Sequence, residues 1–318
     1  MGMLRTIDRP LLITGILILA IYFVGSTMFP QMLTGKYLLQ QLQIASYFGV
    51  LASGAMMVIL LGHIDLSIPW TMSVAAIMST AIAGPGGENA IAGLSVPAAL
   101  LFGCLVGVVN GLGVAFLRVP SMIWTLGVNA VLLGMQVFYT GGFAPQGTAS
   151  DFMRAIAIGH LIGPIPNALF VWILISLVMV FILRRTPLGR YIYATGNRET
   201  ATYLSGVRTR RVIMLCFIWG GFCSALGGVL LAGYADQAYQ AMGDPYLLPT
   251  IAAVVVGGTH ILGGQGKYSG TVMGVLLLTL LSSVLSVLQM AEGYKQIIYG
   301  GVIIIMLLTY GRAAKVQA

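Results

Sequence analysis

The chain has 318 residues, 58% of them hydrophobic and only 8% charged, with a mean hydropathy of +0.96 and a formal net charge of +8. A soluble domain carries about 25% charged residues, so a soluble fold of this length is excluded and the sequence reads as an all-α membrane protein. The apolar runs are continuous rather than alternating, which excludes a membrane barrel. The positive balance is assigned to cytoplasmic loops rather than to nucleic-acid binding.

The few charges divide the chain into about ten expected transmembrane helices within a single domain, residues 1–318. Arg5 and Arg9 precede the apolar run 11–29, which is longer than a signal-peptide core and has no small-residue cleavage site after it; it is expected to be an uncleaved first span. Lys36 precedes the run 37–64, Asp65 separates it from 66–87, and Glu88 from 89–117. Arg118 opens the run 119–141, and a polar stretch to about Pro166 holds Asp151, Arg154 and His160. The next span reaches Phe181. Residues 184–211 then form a basic segment with seven of the sixteen Lys and Arg. Further spans are expected over 212–235, from the loop of Asp236 and Asp244 to near Leu262, over 269–290 and over 296–311.

Placing 184–211 in the cytoplasm and alternating outward puts thirteen basic residues inside and three (Lys36, Arg154, Lys295) outside, with both termini cytoplasmic. Five helices on each side of 142–165 allow an inverted repeat, although no residue-level match between the halves supports it. The cysteines Cys104, Cys216 and Cys223 lie in apolar runs without metal-ligand or CxxC spacing and read as small buried hydrophobes.

Three segments carry chemical information. In Gly62–Ser67, Asp65 stands where two apolar runs meet; it either caps the helix that Pro69 begins or belongs to a substrate path. His63 reads as a loop or interface residue. In 195–211, Asn197 has N-cap character, Glu199 suits the first turn and Gly206 the C′ position. The expected helix, Arg198–Ser205, is a docking surface or simply part of a solvated topogenic loop. The glycine-rich 257–266 lacks the GK[ST] of a phosphate loop and reads as an inter-helix turn. Asn110, Trp124, Thr125, Asn129 and Gln136 are polar residues within spans, suited to a neutral polyol or to helix–helix hydrogen bonds. No catalytic constellation and no metal-ligand set stands out.

In their order and spacing, Gly62–Ser67, Asn110–Pro120 with Thr125–Gly127, Thr186–Arg190 with Ala194–Asn197 and Ser205–Val207, and Ile251–Gly266 resemble the permeases of bacterial ABC importers for ribose, galactose, xylose and fructose. His63, Pro69 and His260 depart from the family pattern. The resemblance implies the transmembrane permease subunit of an importer in the bacterial inner membrane, without a cofactor of its own. It implies ATP and Mg in two partner ATPase subunits, a periplasmic or lipid-anchored sugar-binding protein, and a second permease copy, identical or not. It also implies that Asn197, Arg198, Glu199, Thr200, Ala201, Ser205 and Gly206 couple to the ATPase. The candidate substrate path is Asp65, Asn110, Trp124, Asn129 and Gln136. The alternatives are an ion-driven secondary transporter, or an ABC permease for nucleosides or branched-chain amino acids; a membrane-embedded enzyme lacks a catalytic grouping.

Overall fold

The computed structural model describes residues 9–143 and 145–315. The first half contains α1 (Arg9–Met28), α2 (Gly35–Leu60), α3 (Ile68–Ala83), α4 (Ser95–Gly111) and α5 (Ser121–Thr140). Helix α4 continues through a π-helical stretch, Leu112–Phe116. The polar stretch that follows is not structureless. It folds into α6 (Asp151–Ile158), capped by the Ser150 hydroxyl accepting from Met153 N–H, and a hairpin of β1 (His160–Ile162) and β2 (Ile165–Pro166). The second half contains α7 (Asn167–Arg185), α8 (Pro187–Asn197), α9 (Glu199–Leu204), α10 (Thr209–Ala235), α11 (Leu247–Val256), α12 (Tyr268–Val287) and α13 (Glu292–Lys315).

Seven of these helices are long and apolar enough to cross a bilayer: α1, α2, α4, α5, α7, α10 and α12. Two expected spans are shorter. Residues 66–87 supply only the 16-residue α3, with Pro69 in its first turn as the sequence suggests. The run towards Leu262 stops at Val256, because Gly257 and Gly258 end the helix and Gly258 turns to φ 89. The glycine segment beyond is loop up to Lys267.

The two central helices are α2 (26 residues) and α10 (27 residues), buried along most of their lengths. Between apolar helices in lipid, close backbone approach replaces the hydrophobic drive. Gly103 and Gly107 of α4 accordingly face Gly221 and the Phe217–Ile218 backbone of α10, where no side chain fits. A length pattern recurs in the two halves: a long helix (α2, α10), a short one (α3, α11), then two more. Each long helix packs on the other half's short helix and the one after it, α10 on α3 and α4, α2 on α11 and α12.

Loop contacts gather at two ends of the bundle. At one end Gly264 N–H donates to Leu60 C=O at 2.9 Å, Tyr193 Oη to Gly266 C=O at 2.9 Å, and Arg118 pairs with Glu199 at 2.7 Å. At the other, Ala149 N–H donates to Asp236 C=O at 2.9 Å, Thr148 N–H to Gly84 C=O at 3.1 Å, and Arg154 pairs with Asp236 at 2.7 Å. The first end carries the arginines of 184–211 with Arg118 and Lys267; the second carries Glu88, Asp151, Asp236 and Asp244 with Arg154.

Candidate functional site

The basic segment 184–211 is mostly helical. Pro187 and the Thr186 hydroxyl, which accepts from Gly189 N–H, start α8 directly after α7. Asn197 is the last residue of α8 rather than an N-cap. Arg198, with φ −158 and ψ 94, takes the N-cap position of α9 without a side-chain cap bond. The physical reason is that α8 continues through Asn197, so the cap position falls one residue later. Helix α9 is Glu199–Leu204, shorter at both ends than expected. Its end follows the sequence: Gly206 N–H donates to Tyr203 C=O at 2.9 Å and Val207 N–H to Thr202 C=O at 3.3 Å, with Gly206 at φ 85. This is a Schellman closure, which needs a left-handed residue. Arg198, Thr200, Ala201 and Ser205 are exposed, and so are Tyr203 (63%) and Leu204 (79%). Glu199 turns inward instead, accepting from Arg118 at 2.7 Å and from the buried Thr209 hydroxyl at 3.0 Å.

The start of α9 is held by a three-way backbone junction. Any side chain at Gly196 would strike Leu60 C=O and Gly264 N–H, and Gly264, at φ 76, rests on Asn197. The C-terminus of α2, the C-terminus of α8 and the glycine loop thus meet at backbone distance.

Residues 61–67 leave α2 and lead into α3, outside both helices. Two of their amides bond to side chains of α5: Ser121 Oγ accepts from Ile64 N–H at 3.2 Å and Thr125 Oγ1 from Leu66 N–H at 2.9 Å. Asp65 is buried; its Oδ1 accepts from Ser67 N–H at 2.8 Å and from Ser67 Oγ at 2.6 Å. Asn110 Nδ2 donates to Ser67 Oγ at 2.7 Å and lies 3.5 Å from Asp65 Oδ1. Asp65 therefore orders the turn into α3 by bonding the amide of the N-cap residue Ser67, not those of the first helical turn. Burial raises its carboxyl above the usual range, against the opposing bonds from Ser67 and Asn110. Burial likewise lowers His63, whose ring lies 6.1 Å from that of Phe217.

The other sequence candidates lie on α5. Three clefts of about 410, 480 and 650 Å³ follow one another along this helix. The first two share Ala81 and Tyr139, the last two Phe102 and Met135, so they form one groove flanked by α3, α4 and α5. It runs from Pro85 and Gln146 at the acidic end to Trp124 and Val119 near the basic end. Gln136 and Trp124 line it. Both amide atoms of Gln136 are buried without a hydrogen-bond partner, as are Asn129 Oδ1 and Asn110 Oδ1, while Trp124 Nε1 donates to Val109 C=O at 3.1 Å. Asp65 and Asn110 are brought together, but into the turn cluster rather than the groove wall.

Sequence reading passes over Tyr203 and Leu204, although apolar residues inside a basic loop are a usable signal. It also passes over Arg118 and Ser121 as partners of distant segments; no local pattern announces those contacts. Cys216 and Cys223 are buried and Cys104 half-buried, all free.

Seven helices long and apolar enough to cross a bilayer, with a groove that follows α5 from end to end, suit a protein that passes a solute. The class is a multi-pass membrane transport protein. The family described as branched-chain amino acid transport system / permease component matches residues 37–307, and the chain belongs to it. It is 34% identical to the ribose import permease protein RbsC of Haemophilus influenzae, over 88% of this chain and 86% of that one. Its identity to the RbsC of Escherichia coli is 33%, over 92% and 91%. The autoinducer 2 import system permease protein LsrC of Salmonella typhimurium is 30% identical, over 98% and 88%. No solved structure matches.

Proposed function

We propose that this chain is the membrane-spanning subunit of an ATP-driven importer of a sugar or similar neutral polyol. The observation that carries the proposal is α9: a short, closed helix at the basic end, exposing Tyr203 and Leu204 between arginines. The exposed Tyr203 and Leu204 side chains suit docking to a separate ATPase, which would hold ATP and Mg, since the sequence has no nucleotide-binding loop. Arg198, Thr200, Ala201 and Ser205 share the exposed surface; Asn197 and Gly206 fix the helix from either side.

The basic end is read as cytoplasmic and the acidic end as external, facing a sugar-binding protein. In this reading α3, α11 and α13 join the seven long helices to give ten crossings of a bacterial inner membrane, with both termini inside. The solute passes along the α5 groove by Trp124, Asn129 and Gln136, closed on its open side by a second permease copy. The unpartnered amide atoms of Gln136 and Asn129 suit hydroxyl groups, and the Trp124 ring supplies an apolar face. Asp65 Oδ1 is engaged by Ser67 and lies 3.5 Å from Asn110 Nδ2, which assigns this carboxyl to the turn into α3. Relatives named for ribose and autoinducer 2 import support a sugar-like solute.

Reconstitution tests the reading. The purified chain alone should neither hydrolyse ATP nor accumulate ribose, and ATP-dependent uptake should appear only with ATPase and binding protein added. Uptake by the chain alone under a proton or sodium gradient would favour a secondary transporter instead.

A further inference from the structure

Glu199 belongs to the proposed docking helix, yet its carboxylate does not face outward. It is bound from within the chain by Arg118 at 2.7 Å and by Thr209 at 3.0 Å. Arg118 lies in the short linker between α4 and α5, and its backbone is strained. It has φ 59, the left-handed region that a non-glycine residue with a long side chain adopts at a cost. Directly before it, α4 widens into the π-helical stretch Leu112–Phe116, closed by Leu117 N–H donating to Leu112 C=O at 3.1 Å. Strained residues and π-turns gather where a chain has a mechanical or binding task, since neither improves packing. The linker is gripped a second time from the start of α10, where the Arg210 guanidinium lies 5.7 Å from the centre of the Phe116 ring.

Arg118 also leads somewhere. Pro120 follows it, and then Ser121 and Thr125 of α5 hold the amides of Ile64 and Leu66. Asn110, two residues before the π stretch, holds Ser67 at the start of α3. Both flanks of the linker are therefore hydrogen-bonded to the segment that sets α3, and α3 and α5 flank the groove. An ion pair this exposed, 49% and 33% for the two side chains, adds little to stability. Its geometry is more informative than its strength: it is the side-chain bond between α9 and the α4–α5 linker.

We propose that Arg118 is a positioning residue for energy coupling: the Glu199–Arg118 pair transmits displacement of α9 through the strained linker to α5 and α3, and so to the groove. The inference rests on α9 being the ATPase-docking helix. Its consequence is that docking and coupling are separable by mutation, because Tyr203 and Leu204 face the ATPase while Glu199 faces Arg118.

The test uses the complex of this chain with its ATPase in lipid nanodiscs, with a spin label at Met135→Cys in the groove wall. In the parent, ATP with vanadate should shift the label's spectrum from the nucleotide-free state. Arg118→Gln and Glu199→Gln should retain ATPase binding but reduce the nucleotide-dependent shift by about tenfold. The exchange Arg118→Glu with Glu199→Arg should recover most of it. Arg118→Gly separates coupling from folding: it relieves the left-handed strain, so its melting temperature should not fall, yet the shift should still be lost. A full shift in Arg118→Gly or Arg118→Gln, or no recovery in the exchange, would overturn the proposal. The docking reading fails by a different sign, undiminished ATPase binding by Leu204→Asp, and the transmission route falls with it.

Discussion

Asp65 Oδ1 accepts from both the N–H and the hydroxyl of Ser67, and removing that acceptor leaves two buried donors unpaired. Asp65→Ala should therefore destabilise the protein by about 3 kcal/mol, seen as lower membrane levels and a lower melting temperature. Asp65→Asn keeps an acceptor oxygen and should preserve both folding and uptake; loss of uptake in a normally folded Asn variant would instead make the charge itself functional. The pH dependence has a definite sign. Burial raises the carboxyl in the folded state, so the penalty for its ionisation is absent at low pH and grows as pH rises through the folded-state value. The Asn variant should thus be at least as stable as the parent at about pH 8, and its advantage should shrink on acidification. Gly196 is constrained by space rather than charge. Gly196→Val would push α8 away from Leu60 C=O and Gly264 N–H, so thermal stability and uptake should both fall. Asp65 and the glycines are visible in the sequence as unusual residues; their partners are not, because Asn110, Leu60 and Gly264 come from segments far apart in the chain.

At the scale of the element, α9 depends on its closing turn. Gly206→Ala places a side chain at φ 85 and should cost about 1 kcal/mol. Gly206→Pro also deletes the N–H bonded to Tyr203 C=O and should unwind the end of the helix. Leu204→Asp leaves the helix intact but puts a charge in the proposed contact. It should reduce co-purification of the ATPase by about tenfold or more, at normal membrane levels. Glu88→Arg, an exposed change at the opposite end, is the control and should leave ATPase binding unchanged. The closing residue Gly206 is legible because it acts within four residues of itself. The start of α9 is not, since α8 extends to Asn197 through its packing on α2 and the glycine loop.

For the whole molecule, the separation of charge between two ends sets the expected orientation. The side chain of Asp151 is 91% exposed at the acidic end, and Thr200 is exposed at the basic end. In otherwise cysteine-free protein in intact cells, Asp151→Cys should react with an impermeant thiol reagent and Thr200→Cys only after permeabilisation. The reverse pattern would invert the molecule and remove the cytoplasmic site for an ATPase. The glycine face between α4 and α10 holds the two halves together, so Gly107→Leu, which drives a side chain into the Phe217–Ile218 backbone, should abolish accumulation of folded protein.

Composition and the order of apolar runs by themselves determined that this is an all-helical membrane protein, roughly where its helices lie and which loops are basic. Those properties follow from transfer of whole segments into lipid, which depends on local hydropathy alone. The motifs in 62–67, 186–207 and 251–266 were likewise enough to indicate the permease family. The tertiary structure decided that these three segments meet in one backbone junction, and that α3 and α11 are too short to match the long spans. It also decided that Glu199 is held by Arg118, and that Gln136 and Trp124 line a groove while Asp65 and Asn110 lock a turn. Each of these depends on contacts between segments tens to more than a hundred residues apart, where neither helical period nor hydropathy carries information about the partner.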